Sequence, residues 1–384
     1  MVRDLAMRRV SSYAFKKMIA NSVRSLSFQI NKSTFSRRVC SHQSTEFPED
    51  PPWRIMFFGS DDFAVKSLQA LYSKLQTETL ISRLDVTTTN AVDWKNEKNK
   101  VYRFAESNKL KIHPWPIDAE CVRNKFDLGV VVSFGYLIPK SIIESFPLGV
   151  LNVHGSLLPK WRGAAPIVHA ILNGDSTTGV TIMKIKPDKF DTGDIVRQYS
   201  VPIKTDETAA ELTNRLAILG AQLLMECIRN LPRSVLMTVP QPEDSATYAK
   251  KIVPEMADVD WNNKSAQEIY NQYRALSHLF PLKTRWFDMT VKLLDVSVDE
   301  IEIFNPKNQK VIKNMRTKEN VFPGIVEFSR KRALLRVQCK DGKWVCVREI
   351  IVSGKKSLSA SEFYNGYMSK VENSMDRRFT DDLK

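Results

Sequence analysis

The run Gly149-Val-Leu-Asn152-Val-His154-Gly-Ser156-Leu-Leu-Pro159 places an amide, an imidazole and a hydroxyl within five positions. A strand ending at Gly155 would turn Asn152 and His154 to the same face, because successive side chains alternate. Two such groups converging on one carbonyl can stabilise an oxyanion, and the imidazole can also move a proton. Asp191, in Phe190-Asp-Thr-Gly-Asp194, adds a carboxylate able to orient the imidazole or to help remove a proton. A single histidine in a strand is more often a satisfied structural residue than a catalyst, and the residue types alone leave both readings open.

Other chemistries find less support. Ser156 follows His154 but lacks the G-x-S-x-G elbow of a serine hydrolase. His42, His113, His154, His169 and His278 form no H-E-x-x-H or other ligand pair, so no catalytic metal is expected. Gly59 stands alone, without the G-x-G-x-x-G of a dinucleotide site, and reads as a tight turn. The five cysteines are scattered and free of C-x-x-C spacing, which disfavours a disulfide framework or a zinc site and fits a reducing compartment.

The elements that must carry these residues read as a doubly wound α/β sheet, mostly parallel, over 53–230. Arg54-Ile-Met-Phe-Phe58 is a short buried strand. After Gly59, a helix follows with Ala64, Leu68, Leu71 and Leu75 at helical spacing, started by Ser60, Asp61 and Asp62. Further strands are expected at 84–87, 129–132, 150–153 and 180–185, with a surface loop or helix start at 93–103. Open α/β sheets build sites at the strands' carboxyl ends, where Asn152 and His154 fall. Thr208-x-x-Glu211 is a capping box ahead of the apolar stripe Leu212, Leu216, Leu219, Leu223 and Cys227.

Beyond this the texture changes. Four prolines (Pro232, Pro240, Pro242, Pro254) without periodicity mark 231–254 as an extended linker. A second domain, 255–370, opens with a helix over 265–276. Short strands follow at 291–296, 324–328, 333–338 and 344–351, with a hairpin turn at Lys340-Asp-Gly-Lys343. This pattern predicts a small β-barrel of the oligonucleotide-binding type. Residues 371–384 read as a mobile tail.

The 384 residues carry a net charge of +14, unevenly spread. Residues 1–46 hold nine Lys/Arg against Asp4 and Glu46, are rich in serine and lack a secretory apolar block. This reads as a mitochondrial transit peptide, with a disordered basic arm that binds nucleic acid as the less favoured alternative for the same residues. Residues 305–356 hold fourteen Lys/Arg against four acids, which points to a polyanion partner for the second domain. No run of about 18 apolar residues suggests a membrane span.

Asn152-Val-His154-Gly-Ser156-Leu-Leu-Pro159 together with Asp191-Thr-Gly-Asp194 resembles the signature of the folate-dependent formyltransferases. Lys160-Trp-Arg-Gly-Ala-Ala-Pro166, Thr178-Gly-Val-Thr-Ile-Met183, Tyr248-Ala-Lys-Lys-Ile252 and Leu358-Ser-Ala-Ser-Glu-Phe363 extend the likeness to the members that formylate methionyl-tRNA. The resemblance implies that Asn152 and His154 hold the formyl oxygen of 10-formyltetrahydrofolate while the methionyl α-amine attacks, and that Asp191 assists proton transfer. It implies that Ser156, Leu157, Leu158 and Pro159 line the folate. Phe134, Gly135, Tyr136 and Leu137 would face its pterin, although 132–138 also reads as a buried strand and turn. Lys95, Lys98, Lys100, Arg162, Arg330, Lys331 and Arg332 are the expected contacts to initiator methionyl-tRNA, in a monomer of the mitochondrial matrix. The chain departs from the family pattern at Lys189-Phe190, where a glycine is usual two residues before the Asp. It departs again at 88–100, which lacks the usual Pro/Arg/Lys-rich insert. A formyltransferase acting on a small amine, a hydrolase of the formyl folate, and a non-catalytic RNA-binding module remain the alternatives.

Overall fold

A computed structural model describes residues 48–77, 79–89, 98–298 and 321–381. The expected transit peptide, Lys95 and the start of the basic 305–356 segment lie outside the described residues.

Trp53–Gly59 (β1) is buried almost throughout because its alternate residues face different cores. Ile55 and Phe57 join a large cluster on one side, and Met56 and Phe58 a smaller one on the other. Asp61 caps the helix Asp62–Leu75 (α1) by accepting from the Ala64 amide. The chain continues through Ile81–Thr88 (β2), the helix Lys100–Ser107 (α2), and strands Ile112–Pro114 (β3), Leu128–Val132 (β4) and Val150–His154 (β5). Pro166–Leu172 (α3), Thr177–Lys184 (β6), Asp194–Pro202 (β7) and the helix Ala209–Arg229 (α4) complete this part. The capping box of Thr208 and Glu211 starts α4 as expected.

The seven strands order as β3-β2-β1-β4-β5-β6-β7. The first five are parallel, which puts a topological switch between β1 and β4, and β6 and β7 run antiparallel beyond β5. The strand expected at 180–185 is thus real but reversed. β7 escaped the sequence reading because it is an edge strand whose residues alternate between partial burial and exposure, with no apolar run.

The helix Ala266–Leu276 (α5) has two roles. Ala275 and Leu276 pack into the core of the parallel sheet, whereas Ala266 and Ile269 pack into a second core. Its buried Arg274 donates to the carbonyls of Lys204 and Glu207 just before α4.

The second core lies between two antiparallel sheets. Leu282–Trp286 (β8), Met289–Leu293 (β9), Glu349–Val352 (β14), Ser357–Ser359 (β15) and Phe379–Thr380 (β16) form one, in the order β15-β14-β9-β8-β16. Val296–Val298 (β10), Val326–Ser329 (β11), Leu334–Gln338 (β12) and Trp344–Val347 (β13) form the other, in the order β10-β13-β12-β11. The helix Ala360–Gly366 (α6) packs Phe363 beneath Trp286. Each long strand expected here, 291–296 and 344–351, is broken in two, and the halves serve different sheets. The Lys340–Lys343 hairpin joins β12 to β13 as read.

Two expectations about connections are corrected. The segment 371–381 is not a mobile tail: Phe379 is buried and pairs with β8, and the Asp381 carboxylate accepts from the Trp261 amide. The segment 231–254 joins the two domains, but it is packed rather than free. Arg233–Leu236 is a helical turn, Val239 bridges to Ile195 beside β7, and Tyr248–Ala249 pairs in parallel with Arg162–Gly163. Its prolines removed every periodic signal, yet Val239 and Ala249 still exchange backbone hydrogen bonds with the sheet domain.

Candidate active site

β5 lies between β4 and β6, so its carboxyl end is flanked on both sides. Asn152 stands beside Val131 and Met183, and His154 beside Thr181. Both side chains are buried on one face, as alternation requires. Asp191 comes to them from the loop between β6 and β7. The Asn152 amide donates to Asp191 Oδ1 at 3.3 Å, and His154 Nδ1 lies 3.5 Å from that same oxygen. Asp191 Oδ2 accepts from the Gly163 amide at 2.8 Å. The trio expected from sequence is therefore one contiguous group, although 39 residues separate Asn152 from Asp191.

A main-chain contact settles which face of the imidazole is available. His154 Nε2 lies 2.9 Å from the Trp161 carbonyl, which can only accept, so Nε2 carries its proton. Nδ1 is then the nitrogen turned towards Asp191 and the site.

The loop 156–163 is braced rather than open. The Ser156 hydroxyl is fully buried and donates to the Lys160 carbonyl, so it serves the loop itself. Leu158 is likewise buried, with its amide donated to Thr181. Leu157 is half-buried, and the Pro159 carbonyl accepts from the Thr247 amide of the 231–254 segment, which forms a strap over these loops. The Trp161 indole donates to Asp175, which also receives Lys160.

The segment 132–138 divides by residue. Phe134 is buried against Phe58 and Trp115, whereas Tyr136 and Leu137 are exposed at the same end of the sheet. Gly135 turns between them at φ +78°, with open space around its α-carbon. Asp61 sits next to this loop, and burial pushes its carboxyl up from the ordinary value despite hydrogen bonds from Ala64 and Ser133.

Among the remaining candidates, Arg162 is corrected. It is 3% exposed, donates to Gln241 and grips both oxygens of Glu243, so it is unavailable to a phosphate. Lys98 and Lys100 are exposed and paired with Glu106 and Asp62. Such surface pairs are weak and leave both lysines free to exchange partners. Arg330, Lys331 and Arg332 form the turn between β11 and β12, and Arg330 also lines a cavity of about 540 Å³ with Phe328, Trp344 and Tyr364. That cavity belongs to the antiparallel sheets and not to the trio. Among the described residues no group of three or more His, Cys, Asp or Glu could hold a metal ion.

Residues 53–228 match the formyl transferase family, and residues 251–368 match the formyl transferase C-terminal domain. The chain belongs to the formyl transferase family. This formyl transferase is 41% identical to the human protein named mitochondrial methionyl-tRNA formyltransferase, over 83% of its own chain and 79% of the relative. It is 34% identical to the methionyl-tRNA formyltransferase of Pseudoalteromonas translucida, over 82% of its chain and 94% of that one. A solved sugar 3N-formyl transferase shares its fold with a TM-score of 0.55 at 20% identity, covering 79% of this chain and 99% of that one.

In this formyl transferase, residues to which sequence reasoning gave no role brace the site. Gln241, Thr247 and Trp161 all contact the loops that present the trio. The only signal for Gln241 is its place between two prolines, where the backbone is short of donors. Gly163 is equally demanding. It adopts φ +123°, and a β-carbon there would lie 2.5 Å from the Ala249 carbonyl oxygen. Gly163→Ala must therefore push the strap away and shift the amide that holds Asp191. A displacement of about 1 Å there predicts a fall in turnover of about 10²-fold, read by steady-state assay beside a thermal melt.

Proposed function

We propose that this formyl transferase moves the formyl group of 10-formyltetrahydrofolate to the α-amine of methionyl-tRNA, yielding formylmethionyl-tRNA for translation initiation in the mitochondrial matrix. The observation that carries the reading is the convergence of Asn152, His154 and Asp191 at the end of β5, in a chain that matches both domains of its family. Likeness over both domains to curated methionyl-tRNA formyltransferases supports the acceptor.

In this reaction the α-amine nitrogen bonds to the formyl carbon, negative charge gathers on the formyl oxygen, and the bond from carbon to the folate nitrogen breaks. Asn152 donates its amide to that oxygen. His154 offers Nδ1, as a second donor when protonated and as a base when neutral. Asp191 lies against both groups and assists the proton's passage from the attacking amine to the departing folate nitrogen. Tyr136 and Leu137, exposed at the sheet's carboxyl end, supply apolar surface for the pterin. The turn 330–332 supplies cations for the tRNA phosphates, and the enzyme works as a monomer.

The test is an acceptor panel. Labelled 10-formyltetrahydrofolate is offered with methionyl-tRNA, other aminoacyl-tRNAs, small amines and amino sugars. Label should pass to methionyl-tRNA. Preferential labelling of a small amine, or release of formate without transfer, would replace this reading with a small-amine transferase or a hydrolase.

A further inference from the structure

Asp191 occupies a backbone position in the left-handed region. Its φ is +56°, disfavoured for most residues with a β-carbon but adopted more readily by Asp, and Asp188 in the same loop stands at +72°. Something outside the loop holds it there.

Gln241 does so. Its side chain is buried, and the two hydrogens of its amide go to the carbonyls of Asp191, at 2.9 Å, and Gly193, at 2.7 Å. The amide has only one orientation available. Its oxygen accepts from Arg162 Nε at 3.0 Å, and a flipped amide would set NH₂ against the guanidinium and oxygen against two carbonyls. Arg162 is in turn held by both Glu243 oxygens. The same strap reaches the other half of the site. Thr247 Oγ1 accepts from the Trp161 amide, and the Trp161 carbonyl fixes His154.

We infer that Gln241, oriented by Arg162, is a positioning residue for formyl transfer: it holds the left-handed Asp191 backbone so that the carboxylate meets Asn152 and His154. The inference rests on the role given to Asp191 above. Gln241 touches neither substrate's reacting atoms and acts only through the loop it clamps.

The test is a double-mutant cycle in the full-length enzyme, using Gln241→Met, which keeps the volume and removes the donors. Alone, it should lower kcat by about 10²-fold with KM for both substrates nearly unchanged, as misplacement of a reacting group does. In an Asp191→Asn background it should cost almost nothing further, because the group it positions is already disabled. An equal loss in both backgrounds, or a loss carried by KM, would overturn the inference. If Gln241→Met fails to fold, Gln241→Glu is read through the same cycle, since it keeps the Arg162 contact and loses the donors. The two readings fail differently. A near-wild-type Asp191→Asn enzyme would remove the Asp191 role and this inference with it. An impaired Asp191→Asn enzyme with additive Gln241 variants would remove this inference alone.

Discussion

His154→Ala and Asn152→Ala should each lower turnover by about 10²–10³-fold or more, the cost of losing one oxyanion donor at a preorganised site. Both side chains are buried at the end of a central strand, so their donors pay no reorganisation when charge develops on the formyl oxygen. The loss should appear in kcat rather than in KM, because the ground-state carbonyl gains little from them. Combining the two should cost less than the sum, since both groups converge on one point beside Asp191 Oδ1. Single-turnover formylation of methionyl-tRNA measures this directly. Near-wild-type turnover in either variant would remove that residue from the chemistry.

The second large effect is ionic. Affinity for tRNA should fall by about 10³-fold between about 50 and 200 mM salt if roughly six phosphates are neutralised, while folate affinity stays nearly constant. The fourteen Lys/Arg against four acids of 305–356 motivate this, and the exposed Arg330 and Lys331 are the described cations to vary first. Arg330→Gln with Lys331→Gln should weaken tRNA binding and flatten its salt slope, leaving kcat intact. Equal salt sensitivity for tRNA and folate would take the antiparallel sheets out of the binding surface. Removing everything after Val253 is a poorer test than it looks from sequence. That cut deletes α5, and with it Ala275 and Leu276 from the core of the parallel sheet. Lost activity in the truncated chain would report an exposed core as readily as a lost tRNA contact.

The chemistry-bearing residues were legible because they obey local rules. Period-two alternation places Asn152 and His154 on one face of any strand through 150–154, whatever surrounds it. Capping by Asp61 and Thr208, the apolar stripe of α4 and the hairpin at 340–343 are likewise short-range consequences of residue type. Charge was legible too, since it needs only counting. Its availability was not: Arg162 reads as a cation beside the site, yet its guanidinium is spent on Gln241 and Glu243.

For Asn152, His154 and Asp191, residue type and alternation give their identity and the face on which the first two stand. That Asp191 meets them, that Nδ1 of His154 faces the site, and that the proline-bearing strap clamps both loops follow from the folded arrangement alone. Alternation and capping act over a few residues, whereas these contacts close loops of tens of residues between groups with no periodic signature. The hydrogen bonds that the Gln241 side chain makes are set by where the sheet carries its partners, and not by its neighbours along the chain.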